Sequence, residues 1–368
     1  MIKVFNRGIA AGEGFCNRVN ETTALLKNVH NLTHTLLISP RRYGKTSLAL
    51  HVLEQARLPY AYLDFFMKYD HDDIYQEFYL GIGSLISKVI KPTEKAIKLV
   101  ETLLKNIKIS LTVGKLGLEF SLTPTVHAEK NLRLLLLGLD ELLAKNNKRA
   151  IMFIDEVQAI TESMVRDEFE AAVRFVAQKT ERLCFIFSGS NRHLLGKIFE
   201  DRSRPFYKLC QIVSITRIAA RHYEGFINSF AIAQWGKPLM ADVLDAIFCY
   251  TKVHPYYVNI LCEKLFAYTS LPDSIGVDEC WQQICKEEQG AVAKDIEFLT
   301  AKQKHLLAEI AKYPNLKMPT AQDFVNRVDL TPRGISQALV ILLKHGIVEK
   351  LEDGEIRIID PVLEYWSQ

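Results

Sequence analysis

Five short runs of apolar residues stand out in the first 217 positions of the chain. These runs are residues 35–38, 61–66, 150–156, 183–190 and 210–215. Between most of them lie segments with apolar residues at helical spacing, such as EFEAAVRFVAQ at residues 168–178. Unbroken apolar runs that alternate with amphipathic helices are typical of a parallel sheet covered by helices on both faces. The pattern therefore predicts an α/β domain over residues 1–217.

The long interval between the second and third runs has a different pattern. Residues 107–122, IKISLTVGKLGLEFSL, form two β-like segments that meet at Val113-Gly114-Lys115. Two such segments joined by a turn that contains glycine indicate a hairpin. We therefore expect a β-hairpin insertion around residues 105–125.

After the fifth run the pattern becomes helical. Apolar residues recur at helical spacing in residues 219–233, 240–250, 257–268 and 277–290. This periodicity predicts several consecutive amphipathic helices. We interpret residues 218–298 as a helical lid domain.

The last segment, residues 299–368, combines short helices with a β-ribbon. Its first two helical patterns are residues 301–313 and 320–327. A third helix starts at Thr331-Pro332, where an N-cap residue precedes a proline suited to the first helical position. Residues 347–360 then form two strand-like runs that turn at Asp353-Gly354. Three short helices and a ribbon predict a winged helix-turn-helix.

Composition narrows the class of protein without deciding its partners. A chain of 368 residues suggests two or three domains, because one domain is commonly about 100–200 residues. The net charge of +3 neither demands nor excludes a polyanionic partner. No apolar run approaches the roughly 18 residues that a membrane helix needs, and the N-terminus lacks a secretory apolar segment. The seven scattered cysteines include no CxxC pair, which favours reduced thiols over disulfides or metal ligands. These features predict a soluble, cytoplasmic protein that does not contact a membrane.

The stretch SPRRYGKTS follows the first apolar run and resembles a phosphate-binding loop. In the pattern G-x-x-x-x-G-K-[ST], Gly44, Lys45 and Thr46 occupy the last three positions, whereas Ser39 replaces the first glycine. Lys45 would bridge the β- and γ-phosphates, the Thr46 hydroxyl would bind Mg²⁺, and helix N-terminal amides would face the phosphates. The alternative is a glycine that happens to precede a helix beginning with Lys-Thr; the strand before the loop favours a nucleotide site. The candidate ATP-binding residues are Ser39, Pro40, Arg41, Arg42, Tyr43, Gly44, Lys45, Thr46 and Ser47.

Two acids at the end of the third run supply candidate catalytic groups. Asp155 follows the apolar residues 151–154, and Glu156 follows Asp155. A carboxylate at the end of a buried strand beside the loop can bind Mg²⁺, and its neighbour can activate water. The alternative is a strand that ends in two solvated acids. We assign Asp155 to the metal and Glu156 to water, with Lys45 as the third catalytic residue.

The fourth run ends in FSGSN, residues 187–191. Small polar side chains here would lie near the γ-phosphate if this strand is adjacent to the loop strand and the acidic strand. Ser188, Ser190 and Asn191 are therefore candidate sensors of the γ-phosphate. An ordinary turn is the alternative.

Several motifs in order along the chain resemble the archaeal-type P-loop ATPase family, an AAA-like, STAND-type group also found in bacteria. They are SPRRYGKTSL, FIDEVQAI, VRFVAQ, IFSGSNRHLL, KIFEDRSRPFY and HPYYVNILC, and the match runs from about Phe15 to the C-terminus. The resemblance implies a P-loop NTPase core with strand order 5-1-4-3-2, a helical lid and a C-terminal winged helix. A serine-proline opening of the loop is similar to a variant that this family uses.

The same resemblance implies further nucleotide contacts. HPYY, residues 254–257, resembles the proline motif of the lid and makes Pro255 a candidate, although Val253 stands where the family often has glycine. Arg18 resembles an arginine of the family that lies near the nucleotide, and a surface arginine is the alternative. A further arginine can stabilise the transferred phosphoryl group. Arg202 and Arg204 are the first candidates for this role, followed by Arg192 and Arg217.

The charge of the predicted winged helix bears on its partner. Residues 300–368 contain nine lysines and arginines and nine acids. Phosphate neutralisation supplies most non-specific DNA affinity, so a neutral domain is expected to bind DNA weakly. A role in regulating the nucleotide site, or in binding a protein partner or a second copy, stays open beside DNA binding.

Together these features predict an Mg²⁺-dependent, ATP-hydrolysing molecular switch whose winged helix regulates the site or engages a partner. A second hypothesis is a DNA-binding regulator for which the nucleotide is a structural ligand. A third is an ATPase that acts on a separate partner protein.

Overall fold

A computed structural model describes residues 4–5, 7–66, 71–90, 109–114, 117–122, 128–162 and 166–368. The strands are β1 (Thr35–Ile38), β2 (Tyr60–Asp64), β3 (Ile109–Gly114), β4 (Gly117–Leu122), β5 (Ala150–Asp155), β6 (Leu183–Gly189), β7 (Gln211–Ser214), β8 (Val348–Lys350) and β9 (Ile356–Ile358). The strands β3 and β4 pair antiparallel. Lys115, at the expected hairpin turn, lies outside the described residues.

The main sheet is parallel, in the order β2-β5-β6-β1-β7. This arrangement confirms the expected order 5-1-4-3-2 when the five sheet strands are numbered along the chain. Ile38 pairs with Gly189, and Asp64 pairs with Asp155, so β1, β2, β5 and β6 end along one edge. Because parallel strands share one direction, the groups that follow β1, β5 and β6 collect at that edge.

Helices follow the strands as the apolar periodicity predicts. In the first part of the chain they are α1 (Val19–His30), α2 (Lys45–Ala56), α3 (His71–Val89), α4 (Ala128–Lys145), α5 (Arg166–Ala177) and α6 (Arg192–Phe199). Further along they are α7 (Ala220–Trp235), α8 (Ala241–Thr251), α9 (Pro255–Leu265), α10 (Ser274–Asp295), α11 (Ala301–Lys312), α12 (Gln322–Val325), α13 (Pro332–Lys344) and α14 (Pro361–Ser367). Across the described part of the chain, no helix combines the length and apolar character needed to cross a membrane.

The chain divides into two compact units. The sheet unit comprises Val19–Ser39 and Lys45–Ile215, and the helical unit comprises Met1–Arg18, Pro40–Gly44 and Thr216–Gln368. The tip of the candidate phosphate-binding loop therefore belongs to the helical unit, whereas the loop's first and last residues belong to the sheet unit. Each unit has its own cluster of buried apolar side chains.

The C-terminal part of the helical unit is a winged helix. Pro332 occupies the first turn of α13, and the Thr331 hydroxyl accepts a hydrogen bond from the amide of Gly334. The strands β8 and β9 pair antiparallel, and Gly354 turns the ribbon with a φ of +89°. Apolar side chains of this region share one core with helices α7–α10.

Candidate functional site

The loop between β1 and α2 has the backbone of a tight anion-binding turn. Gly44 has a φ of +86°, a left-handed conformation that glycine adopts without steric cost. A Cβ at Gly44 would meet no heavy atom within 4 Å, so the backbone angle alone explains the glycine. The helix α2 begins at the next residue, Lys45, and the amides of a helix's first turn have no partner within the helix. These amides can bind phosphate oxygens.

Lys45 is buried at the start of α2. Its Nζ donates a hydrogen bond to the backbone carbonyl oxygen of Ser39 over 3.3 Å. The same Nζ lies 4.0 Å from Oε1 of Glu156. Ser39 thus contributes to this contact through its backbone, which a glycine would also provide.

Asp155 lies at the end of β5 and is only 4% exposed. Its Oδ2 accepts a hydrogen bond from the Thr46 hydroxyl over 2.5 Å, and its Oδ1 accepts one from the Ser188 hydroxyl. Burial raises the pKa of Asp155, while the hydrogen bonds from Ser188 and Thr46 act to lower it. A carboxylate and a hydroxyl therefore lie side by side at the edge of the sheet.

Glu156 is held by hydrogen bonds just beyond Asp155. Its Oε2 accepts hydrogen bonds from the Ser190 hydroxyl over 2.8 Å and from the Gln158 amide. The Gln158 Nε2 also donates to Ser190 Oγ over 3.2 Å. Glu156 has a φ of +52°, an unusual angle for a residue with a side chain. Its carboxylate is therefore oriented by both its backbone and its neighbours.

The candidate sensors have different partners. Ser188 bonds Asp155, and Ser190 bonds Glu156. Asn191 is the N-cap of α6, where its side chain accepts a hydrogen bond from the Leu194 amide over 3.0 Å. The structure therefore brings the two serines to the acids and gives Asn191 a helix-capping contact.

The candidate arginines also differ in their surroundings. Arg204 forms a bidentate pair with Glu170, in which Nε donates to Oε2 over 3.1 Å and a second nitrogen donates to Oε1. Arg192 and Arg202 are exposed. Arg217 belongs to the helical unit, where its guanidinium donates to the carbonyl oxygens of Lys252 and Ile359 over 2.7 and 2.9 Å.

Arg18 is a buried residue of the helical unit, with 5% of its surface exposed. Its guanidinium donates to the carbonyl oxygens of Thr216 over 2.6 Å and Tyr43 over 3.0 Å. The alternative of a surface arginine is therefore wrong, and Arg18 holds the backbone of the loop tip.

The loop tip carries two further contacts within the helical unit. The Arg42 guanidinium lies 4.1 Å from the centre of the Tyr256 ring, and its NH1 is 3.4 Å from Glu288 Oε2. Arg41 is exposed. Tyr43 is 1% exposed, and its ring lies edge-on to the ring of His254 at 4.9 Å between centres.

The segment before α9 has a left-handed backbone at two consecutive residues. Pro255 is the first residue of α9. Lys252 and Val253 have φ values of +48° and +57°, in the left-handed region. A β-branched residue is strained there, which is the physical reason why glycine suits the position of Val253. The Arg217 bond to the Lys252 carbonyl supports this conformation.

Gln158 was not singled out as a candidate by the sequence pattern. Its position two residues after Glu156, at the start of a 3₁₀ helix (Val157–Glu162), was the available signal. Among the described residues, no group of three or more His, Cys, Asp or Glu side chains is arranged to hold a metal ion. The arrangement at Thr46 and Asp155 instead suits a metal whose other ligands are phosphate oxygens and water.

Comparisons with known proteins agree with this architecture. Residues 293–368 match a family model described as "Probable winged helix domain". A Walker-type ATPase of Pyrococcus abyssi is similar in structure, with a TM-score of 0.72, 17% sequence identity and coverage of 99% of each chain. The ORC2 protein of Aeropyrum pernix, in its ADPNP–ADP complexes, gives a TM-score of 0.56 at 15% identity and covers 98% of this chain and 95% of its own. No curated protein matches the sequence significantly.

These similarities define the class of fold. The chain has the fold of a Walker-type P-loop ATPase with a C-terminal winged helix. The expected resemblance to archaeal P-loop ATPases is confirmed for the fold. Sequence identities as low as these establish no closer relationship.

Proposed function

We propose that the protein is an Mg²⁺-dependent ATPase that works as a molecular switch of the STAND type. Nucleotide binding and hydrolysis switch the chain between two conformations, and the winged helix regulates the ATP-binding site. The observation that carries the proposal is the cluster formed by Lys45, Thr46, Asp155 and Glu156 at one edge of the parallel sheet.

Each member of the cluster suits one role in phosphoryl transfer. Lys45 supplies a buried positive charge for the β- and γ-phosphates, and the first amides of α2 bind phosphate oxygens. Glu156 orients the attacking water and accepts its proton. Ser190 and Gln158 hold the Glu156 carboxylate in place. Nucleotide contacts by Arg18 and Pro255, which the sequence resemblance implies, stay predictions.

Magnesium fits the oxygen groups at the end of β5. Thr46 and Asp155 would hold the ion, since the hydroxyl and the carboxylate are already in contact. An ion held there would neutralise charge that develops on the phosphates. One carboxylate and one hydroxyl are enough, because Mg²⁺ usually keeps waters and substrate phosphates as its other ligands.

A second candidate function is a DNA-binding regulator that uses the nucleotide as a ligand. The helix α13 exposes Arg333, Ser336, Gln337 and Lys344, which can contact bases and phosphates. The wing, however, exposes Glu352 and Asp353, which repel phosphates. Regulation of the ATPase, or binding of a protein partner, therefore fits the neutral domain better.

The test is an ATPase assay on the purified full-length chain, with and without duplex DNA. Glu156→Gln is expected to keep ATP binding and to lose about 10²–10⁴-fold in turnover, the usual contribution of general base catalysis. Lys45→Ala is expected to lose binding and turnover. Glu181→Gln, an exposed glutamate of the same unit, serves as the matched control and should leave both unchanged.

The outcomes separate the two candidates. Failure of the wild type to bind ATP, or equal loss of binding and turnover in Glu156→Gln, contradicts the proposed roles. DNA binding that survives Glu156→Gln and weakens steeply with salt supports the regulator instead.

A further inference from the structure

Tyr43, in the tip of the phosphate-binding loop, is bonded to the wing of the winged helix. All the residues concerned belong to the helical unit. The Tyr43 hydroxyl donates a hydrogen bond to Glu349 Oε1 over 3.0 Å and accepts one from Arg217 Nε over 2.9 Å. A residue of the loop thus contacts the winged helix across 306 positions of sequence.

Glu349 lies at the base of the wing. It is the middle residue of β8, and its pairing partner on β9 is Arg357. Arg357 Nε donates to the same Oε1 over 2.7 Å, and Arg217 lies 3.9 Å from it. One carboxylate oxygen of Glu349 therefore contacts Tyr43 of the loop, Arg217, and Arg357 of the neighbouring strand β9.

Arg217 fixes the geometry of this group. Its side chain is 8% exposed, and its other nitrogens donate to the carbonyl oxygens of Lys252 and Ile359. Ile359 directly follows β9, and Lys252 precedes α9. Arg217 is held by these other hydrogen bonds. If the Tyr43 hydroxyl shifts, the guanidinium can keep its bond to Tyr43 only by breaking some of them.

The loop tip has the means to shift. Arg42 has a φ of +65°, a strained angle for a residue with a side chain, and Gly44, which can adopt other backbone angles at little steric cost, separates Tyr43 from Lys45. When phosphate oxygens bind the amides around Lys45, the backbone of the loop must orient these amides toward the phosphate. Tyr43, two residues before Lys45, is the nearest buried side chain on the N-terminal side of Lys45.

We propose that Tyr43 couples the phosphate-binding loop to the winged helix, and that nucleotide binding breaks its hydrogen bond to Glu349 and loosens the β8–β9 wing. The proposal rests on the proposed nucleotide site and specifies how the winged helix regulates it. Since linkage is reciprocal, a bond that nucleotide must break also opposes nucleotide binding. Removing the bond is therefore expected to strengthen binding.

The experiment uses Tyr43→Phe, Glu349→Gln and the double variant of the full chain. Tyr43→Phe removes only the hydroxyl. The backbone amide of residue 43 and the ring contact with His254 are kept. Glu349→Gln changes the partner at a position outside the loop. Glu352→Gln, an exposed acid of the same wing, is the matched control. Affinity is measured by titration with a fluorescent, non-hydrolysable ATP analogue, and wing opening by hydrogen exchange of residues 348–358.

Each single variant is expected to bind the analogue about 5-fold or more tightly than the wild type, the lower end of typical coupling between linked sites. The double variant should gain no more than Tyr43→Phe alone, because both changes act on the same hydrogen bond. Tyr43→Phe removes its donor, and Glu349→Gln replaces the charged acceptor with a weaker, neutral one. In the wild type the analogue should speed hydrogen exchange of the wing, and in Tyr43→Phe exchange should be fast before the analogue is added. Glu352→Gln should match the wild type.

Unchanged or weakened affinity in both single variants, or additive effects in the double variant, overturns the coupling. If the wild type hydrolyses ATP and the variants behave like it, the coupling fails while the proposed function stands. If the wild type binds the analogue without hydrolysing ATP, the ATPase proposal fails and the affinity comparison still decides the coupling. A wild type that binds no nucleotide refutes both.

Discussion

Arg204 offers a sharp distinction between a catalytic and a structural arginine. The sequence made it a candidate for stabilising the transferred phosphoryl group. In the structure its guanidinium donates two hydrogen bonds to the carboxylate of Glu170 in α5, and Glu170 is 1% exposed. A carboxylate buried this deeply needs its cation. We therefore expect Arg204 to act on the stability of the sheet unit.

The magnitude follows from that burial. Arg204→Met removes the cation that pairs with the buried Glu170 carboxylate, and breaking a buried pair from one side costs about 3–5 kcal/mol. The double variant Glu170→Gln/Arg204→Met removes the charge as well and should recover most of the loss. Arg202→Met, an exposed arginine two positions away, should change stability by less than about 0.5 kcal/mol.

The assay must report on the sheet unit. All three tryptophans, Trp235, Trp281 and Trp366, belong to the helical unit, so their fluorescence does not follow the sheet unit directly. Hydrogen exchange of α5 and β6 under increasing urea measures the local free energy of opening instead. Turnover is measured on the same samples at a temperature where all variants are folded.

A catalytic arginine would give the opposite result. Loss of about 10³-fold or more in turnover, as for an arginine finger, with unchanged protection of α5, would refute the structural role. The same conclusion would follow if the double variant were no more stable than Arg204→Met.

Three further predictions follow from burial and backbone geometry. Burial raises the pKa of Asp155, so its charged form costs stability increasingly as pH rises above about 4. Asp155→Asn should therefore melt at a higher temperature than the wild type at pH 7, and it should lose hydrolysis. A lower melting temperature would contradict the destabilising effect of the Asp155 charge. Burial, with the nearby charges of Arg217 and Arg42, holds the pKa of His254 well below its usual range, so the stability of the helical unit should fall by up to about 1.4 kcal/mol per pH unit below about pH 6.5. His254→Phe should flatten that dependence in urea melts followed by tryptophan fluorescence from pH 7.5 to 5, and an unchanged slope would exclude His254 as the source. Ser39→Gly keeps the carbonyl that Lys45 bonds and should change nucleotide affinity by less than about 1 kcal/mol, whereas a larger change would mean that the serine side chain or its stiffer backbone shapes the turn.

Much of the fold could be predicted from the local pattern of apolar and capping residues. The apolar runs at residues 35–38 and 150–156 correspond to β1 and β5, and Thr331-Pro332 begins α13 as its capping chemistry predicts. Helix ends were less accurate: α12 is confined to Gln322–Val325, where residues 320–327 were expected. Ends depend on which terminal amides and carbonyls find partners, and periodicity carries little information about that.

The loop, the acid pair and the winged helix can be predicted from local sequence, because each depends on neighbouring residues: a glycine before Lys-Thr, a charge at a strand end, an N-cap before a proline. Which distant side chains contact each other depends on how the chain packs in three dimensions. Gln158 bonds Ser190 across 32 positions, and Tyr43 bonds Arg217 across 174. No local propensity encodes such contacts, since they arise only when distant segments pack and their buried polar groups must find partners.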